Sequence, residues 1–223
     1  MMVDYTGWVR RAQSFTSELD ARRQGEWEFE CEVAPPMDEQ SIINLERTLS
    51  RDLPGPLRGF FKQGSRCLEC RYVWTPAGAS VNPMHDLFPS QGGYIYGGAR
   101  LCDALDLPEM LKECEMSAES FQKSPEQEAF WLNALPFAWI RNGDTLALDM
   151  RHSLPPVVYL AHDDDSRVIA PSFDAFLNTW ERLCYIGPEI WLLDEFLDSE
   201  TGLMNADTDK ARQLRDLFSV GAS

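Results

Sequence analysis

The residues that could carry out chemistry are few, and they do not form a recognised catalytic pattern. The three histidines, His85, His152 and His162, are scattered through polar segments. They lack the paired spacing that metal-binding histidines show on a helix. Cys67 and Cys70 have the spacing of half a zinc or redox site, but no second pair follows. In a strand, residues three apart also point to opposite faces, so ordinary thiols are favoured over a metal centre.

A second candidate for chemistry is the acidic run Asp163, Asp164 and Asp165. It could bind a hard cation, but it lacks the alternating ligands and the glycine of a calcium-binding loop, so a polar turn is favoured. Neither Gly92-Gly93 nor Gly97-Gly98 is followed by the lysine and hydroxyl residue of a phosphate-binding loop. No serine has the glycine neighbours of a hydrolase nucleophile. We therefore predict a protein that is not an enzyme, with no catalytic residues, cofactor or metal; an enzyme with an unrecognised site is the open alternative.

The segment from Glu26 to Val33 alternates between acidic and apolar residues without a break. In a strand, this alternation places four apolar side chains on one face and four carboxylates on the other. The pattern is typical of an edge strand whose charges prevent pairing between molecules, or of a face that binds a partner. The candidate partner-binding residues are these four glutamates and, as a second patch, the acidic run: Glu26, Glu28, Glu30, Glu32, Asp163, Asp164 and Asp165.

The stretch 135–184 predicts the elements around which the fold is organised. Two strands flank Asn142-Gly143, a dipeptide typical of a type I′ hairpin. Two further strands, 157–160 and 167–170, are joined by the acidic run. Ser172 can cap a helix whose apolar stripe is formed by Phe173, Phe176, Leu177 and Trp180. We expect an antiparallel sheet with this helix across it.

Outside this stretch, the periodicity predicts further helices and strands. Helices are expected over 4–23, 37–50, 57–64 and 207–218, and strands over 26–33, 67–74 and 94–96. The segment 75–91 reads as a loop. The segment 114–127 has no clear assignment, except that Ser124-Pro125-Glu126 resembles a helix start.

Composition limits the class of partner. The net charge of −16 and the sequence pI near 4.5 would repel nucleic acids and anionic membranes, so a basic protein partner is favoured. No apolar run is long enough for a signal peptide or a membrane span, and we expect a cytoplasmic protein. In that compartment the six cysteines should be reduced and mostly buried. An apolar content of 44% is ample for a real core.

Two groups of residues resemble a known family. The first is Ile43-x-x-Glu46-x-x-Leu49, followed by Leu53-Pro54 and the short helix that ends at Gly64. The second comprises Pro136 to Asp149 with its Asn142-Gly143-Asp144 turn, Pro156 to His162, and Ser172-Phe173-x-x-Phe176-Leu177-x-x-Trp180. In this order and separation they resemble the SUKH superfamily, also described as the Smi/Knr-like domain.

The resemblance implies a single α+β domain with a mixed, largely antiparallel sheet backed by several helices. Residues 37–223 would form the SUKH-like domain, and residues 1–36 an N-terminal elaboration of one helix and the acidic strand. In bacteria, such domains imply immunity proteins that bind and neutralise a polymorphic toxin, often a nuclease. The partner would then be a basic toxin domain. The alternative that the family offers is an intracellular regulatory or scaffold protein.

Overall fold

The structure, a computed structural model, describes residues 3–19, 25–76, 87–88, 95–120 and 124–219, with only the backbone described for 25–27, 74–76 and 95. Its centre is one antiparallel sheet in which seven strands follow sequence order. The strands are β1 Gly25–Val33, β2 Leu68–Pro76, β3 Ile95–Leu101, β4 Ala134–Trp139, β5 Thr145–Asp149, β6 Val157–Leu160 and β7 Arg167–Ala170. With the helices around it, this sheet confirms the predicted single-domain α+β class.

The helices precede, interrupt and follow the strands. They are α1 Tyr5–Ser17, α2 Glu39–Leu49, α3 Gly55–Gly59, α4 Leu107–Ser120, α5 Pro125–Leu132, α6 Phe173–Arg182, α7 Ile190–Leu193 and α8 Asp209–Ser219. Helix α3 continues as a π-helical turn, Phe60–Gly64. Asp4, Asp38, Ser124 and Ser172 cap α1, α2, α5 and α6 through their side-chain oxygens. Within the described ranges, none of the helices is long and apolar enough to cross a membrane.

An aromatic cluster joins α1 and α6 over one face of the sheet. Trp180 stacks on Trp8 and on Phe176, with ring centroids 6.2 and 5.4 Å apart. The indole N–H groups are also satisfied, because Trp8 donates to the carbonyl of Leu177 at 3.1 Å and Trp180 to that of Ile186 at 2.8 Å. Helix α1 therefore shares its core with the rest of the chain. The division of the chain into 1–36 and 37–223 stays a prediction.

In the described part of the chain, helices cover only some of the other face of the sheet. Helices α4 and α5 pack a smaller apolar cluster against β4, β5 and β6, formed by Cys114, Ala118, Trp131, Ala134, Ala147, Val158 and Leu160. Strands β5 and β6 are therefore buried on both faces, which accounts for the unbroken apolar run 157–160. On the same face, Glu28, Glu30 and Glu32 of β1 are exposed.

The sheet has a seam between β3 and β4, where only two residue pairs join the strands. The chain after α6 fills the rest of this gap. Gly98 donates its N–H to the carbonyl of Tyr185 at 2.6 Å, and Gly97 forms a bridge with Ile186. Only glycine fits at position 98, because its φ is +78° and a Cβ would lie 1.8 Å from the carbonyl oxygen of Cys70. The two glycines thus lie inside β3, whereas the sequence predicted a shorter strand, 94–96, that ends before them.

The turn between β4 and β5 differs from the predicted type I′ hairpin. Gly143 has φ +95°, but Asn142 is not at positive φ, so the turn does not have two left-handed residues. The loop closes when Gly143 donates its N–H to the carbonyl of Ile140 at 3.0 Å. The cause is the Asn142 side chain, which accepts the N–H of Asp144 at 3.1 Å and holds the chain in an Asx turn.

The prediction that all cysteines are reduced is wrong for one pair. Cys31 and Cys70 lie directly opposite each other on β1 and β2, with a Cα–Cα distance of 4.1 Å, and form a disulfide. Strand register brings them together from 39 residues apart in the sequence. Cys67, Cys102, Cys114 and Cys184 do not take part in disulfides.

Truncating the aromatic cluster should destabilise the whole domain. We expect Trp180→Ala to lower the free energy of unfolding by about 3–5 kcal/mol, because a 2% exposed indole and its stacking partners lose their contacts. The measurement is equilibrium unfolding in urea. Leu154→Ala, at a 62% exposed position, is the control and should change the free energy by less than about 0.5 kcal/mol. Similar losses for both variants would contradict the assigned core.

Candidate functional site

The most elaborate polar arrangement is centred on the carboxylate of Asp144, which is 1% exposed. Its Oδ1 accepts the backbone N–H of His162 at 2.9 Å and lies 2.6 Å from Nδ1 of the same residue. Its Oδ2 accepts the Tyr159 hydroxyl and the Asn142 side-chain amide, both at 2.5 Å. Tyr159 in turn accepts the backbone N–H of Ile190 at 3.1 Å. One buried carboxylate therefore links the β4–β5 turn, β6, the following turn and the start of α7.

Electrostatics favour the charged form of this carboxyl group. Burial by itself raises the pKa of Asp144, but hydrogen bonds from Tyr159, His162 and Asn142 outweigh it, and the pKa lies below its usual range. Burial, followed by the hydrogen bond to Asp144, raises the pKa of Tyr159 well above its usual value. The network is thus an ionised carboxylate held by hydrogen-bond donors.

The Asp144–His162 pair has the form of a general-base dyad, and with Asp163 it also has the form of a cation site. Ligand atoms of Asp144, His162 and Asp163 all lie within 4.8 Å of one another, which is close enough for a shared cation. Both oxygens of Asp144 are already engaged, however. Oδ1 contacts the backbone N–H and Nδ1 of His162, and Oδ2 accepts from Tyr159 and Asn142. A cation at this position would have to displace those donors, so the contacts describe a stabilising network better than a metal centre.

A cleft opens at the seam of the sheet beside this network. It is small, with a cavity volume of about 30 Å³, and its walls include Arg71, Tyr96, Trp139, Arg141 and Glu189. Glu189 is 4% exposed, and its Oε2 has no hydrogen-bond partner among the described residues. Burial raises the pKa of Glu189, and the nearby Arg141 and Arg71 only partly oppose that rise. Sequence reasoning missed this residue, since it follows Gly187-Pro188 in a segment whose local pattern does not mark a buried acid.

The first predicted patch lies on the edge strand β1. The side chains of Glu28, Glu30 and Glu32 are exposed, and the backbone of Glu26 continues the strand, although its side chain lies outside the described part. Residues directly opposite in an antiparallel pair share one face. Glu30 therefore shares its face with Arg71 of β2, whose guanidinium pairs with Glu69 at 2.9 Å.

The apolar side of β1 is less buried than its alternation predicts. Cys31 and Val33 pack against the core, but Phe29 is 46% exposed. Strand β1 is the terminal strand of the sheet, so among the described strands Phe29 has a neighbour on one side only. The predicted apolar face thus contributes an exposed aromatic ring to the edge.

The second predicted patch lies in the turn between β6 and β7, as the polar-turn interpretation requires. Asp163, Asp164 and Asp165 are exposed, and Asp164 lies 3.7 Å from Arg167. The structure does not bring the two acidic patches together, because β1 and β7 end opposite sides of the sheet. At the usual strand spacing, six intervals separate them by roughly 30 Å.

The segments that carried the family resemblance are those that form the polar contacts. Asp144, Tyr159 and His162 belong to the second group of motifs, and the network explains their residue types. In the first group, Glu46 accepts the backbone N–H of Leu53 at 3.2 Å and Nε of Arg58 at 3.1 Å. That carboxylate fixes the sharp turn between α2 and α3.

Comparison with known proteins agrees with these motifs. The model of the SMI1 / KNR4 family (SUKH-1) matches residues 36–179, which is more than half of the chain. No curated protein is similar enough in sequence to count as a match.

Removing the charge of Asp144 should test the network. Asp144→Asn places an amide N–H₂ against existing donors, and we expect it to lower the free energy of unfolding by about 3 kcal/mol at pH 7. The pKa of Asp144 is depressed in the folded state. Its contribution is therefore present above the ordinary pKa of 3.8 and lost as the pH falls through the folded value. The difference between the two proteins should shrink on acidification, measured by urea unfolding as a function of pH.

Asp163→Asn is the matched control for that experiment, because its side chain is 74% exposed and one residue from the network. We expect it to change the free energy of unfolding by less than about 0.5 kcal/mol. The network would be contradicted if Asp144→Asn had the same free energy of unfolding as the wild type. It would also be contradicted if the difference in free energy between the two proteins grew as the pH fell.

Proposed function

The chain belongs to the SMI1 / KNR4 family (SUKH-1), and from this premise we propose that it is an immunity protein that neutralises a cognate bacterial toxin by direct binding. The toxin has a basic contact surface, as a nuclease does where it holds its nucleic acid. The protein inhibits the toxin stoichiometrically, by binding it and without catalysis. The acidic strand β1 is the contact face.

The observation that supports this proposal is the run of exposed glutamates on β1, in a chain whose net charge is −16. A basic nuclease groove and an acidic strand attract each other over long range, which raises the association rate and disfavours acidic partners. Glu28, Glu30 and Glu32 repeat every second residue, so their carboxylates follow the strand at intervals of about 7 Å.

The Asp144 network also suits a scaffold that presents a surface. Its carboxylate ties together the β4–β5 turn, β6 and the following turn through Asn142, Tyr159 and His162. A surface on such a pre-organised scaffold loses little conformational entropy when it binds.

Reversing charge on β1 should weaken toxin binding without unfolding the protein. We expect Glu28→Lys combined with Glu30→Lys to raise the dissociation constant for the toxin at least about tenfold, since attraction becomes repulsion. The measurement is titration of the toxin with each variant, together with survival of cells that express the toxin.

The matched control is Glu115→Lys combined with Glu119→Lys on the exposed side of α4, which changes the net charge equally. It should protect as the wild type does. Full protection by the β1 variant would remove this face from consideration. A pull-down with the tagged protein is a further test. If it captures several unrelated partners whose binding tolerates salt, and not one basic toxin, a regulatory scaffold is favoured instead.

A further inference from the structure

Strand β1 presents backbone groups as well as carboxylates to a partner. It is a nine-residue strand at the end of the sheet, and no described strand pairs with its outer edge. An edge of this length is a template for another extended chain. Proteins that bind peptides by strand addition obtain affinity from such main-chain hydrogen bonds and specificity from alternate side chains.

The register shows which backbone groups face outward. Antiparallel pairs alternate between wide hydrogen-bonded pairs and narrow non-hydrogen-bonded pairs with Cα atoms about 4.5 Å apart. Cys31 and Cys70, at 4.1 Å, form a narrow pair. The N–H and C=O groups of Cys31, and by alternation those of Phe29 and Val33, therefore point away from β2. None of them hydrogen-bonds with a described residue.

The same register sets the side chains that an added strand would need. The glutamates exchange their backbone bonds with β2, so they would form narrow pairs with the incoming strand, where side chains are closest. Residues opposite Glu28, Glu30 and Glu32 would share their face and should be lysine or arginine. The intervening residues would lie on the side of Phe29, whose exposed ring favours apolar neighbours.

A second copy of this chain does not fit the edge. Pairing β1 with another β1 would place carboxylates opposite carboxylates, which is destabilising. The glutamates thus block self-association and favour a basic strand. We infer that β1 binds an extended segment of its partner by strand addition, and that this segment alternates basic and apolar residues. This inference rests on the proposed function and specifies the form of the partner.

The test uses a capped seven-residue peptide that alternates lysine and valine, and follows amide hydrogen exchange by NMR. We expect the peptide to slow exchange of the Phe29 and Cys31 amides at least about tenfold, because they gain acceptors. The Glu30 amide already bonds to β2 and should change little. A peptide of the same composition, with its lysines in one block, is the control. Equal slowing by both peptides, or no slowing by either, would overturn the inference.

Backbone methylation of the peptide gives a test that leaves the protein unchanged. In the inferred register, the valine amides point toward β1 and the lysine amides point away. N-methylation of the valines should abolish binding, whereas N-methylation of the lysines should preserve most of it. The opposite order, or equal effects, would contradict strand addition. Formation of a dimer through β1, detected by light scattering, would also overturn it.

Variants of Phe29 separate this inference from the proposed function. Phe29→Pro removes an outward N–H, which an edge strand tolerates, while Phe29→Val retains it. We expect only the proline variant to lose toxin affinity by about tenfold or more. If the charge reversal on β1 weakens toxin binding but Phe29→Pro does not, strand addition is wrong and the immunity proposal stands. If neither change has an effect, the toxin does not bind along β1, and both strand addition and the proposed contact face are wrong.

Discussion

The buried carboxylate of Asp144 is the interaction on which the arrangement of the rest depends. A charge in the low-dielectric interior is tolerated only when its oxygens are satisfied, and here four donors satisfy them. Those donors come from the β4–β5 turn, from β6 and from the turn after it, and Tyr159 extends the link to α7. Because α7 follows the segment that fills the seam between β3 and β4, the network holds both parts of the sheet in register.

This arrangement produces two unlike halves of one sheet. Strands β4 to β6 are covered on both faces and provide rigidity, whereas β1 has an exposed acidic face and an outer edge with which no described strand pairs. The disulfide between Cys31 and Cys70 ties that edge strand to its neighbour. A strand whose conformation is fixed by its neighbour loses little conformational entropy when it binds a partner. This property suits the inhibitor that we propose.

Local patterns predicted the elements well, because their causes are local. The alternation in 26–33 and the capping serine at position 172 both act within a few residues, and the structure has the expected strand and helix there. The disulfide, the exposure of Phe29 and the burial of Glu189 depend on which distant segments become neighbours, and no short pattern carries that information. The same limit applies to the candidate site. Both acidic patches could be named from the sequence, but their separation across the sheet follows only from strand order.

The central claim is that the toxin binds along β1, and hydrogen–deuterium exchange across the whole chain tests it most directly. The measurement compares the free protein with its complex with the natural partner. Our account predicts that the strongest new protection falls within residues 25–33, with little change in the acidic turn at 161–166. Protection concentrated at the seam, around 96–100 and 187–189, or at that acidic turn, with 25–33 unchanged, would contradict it.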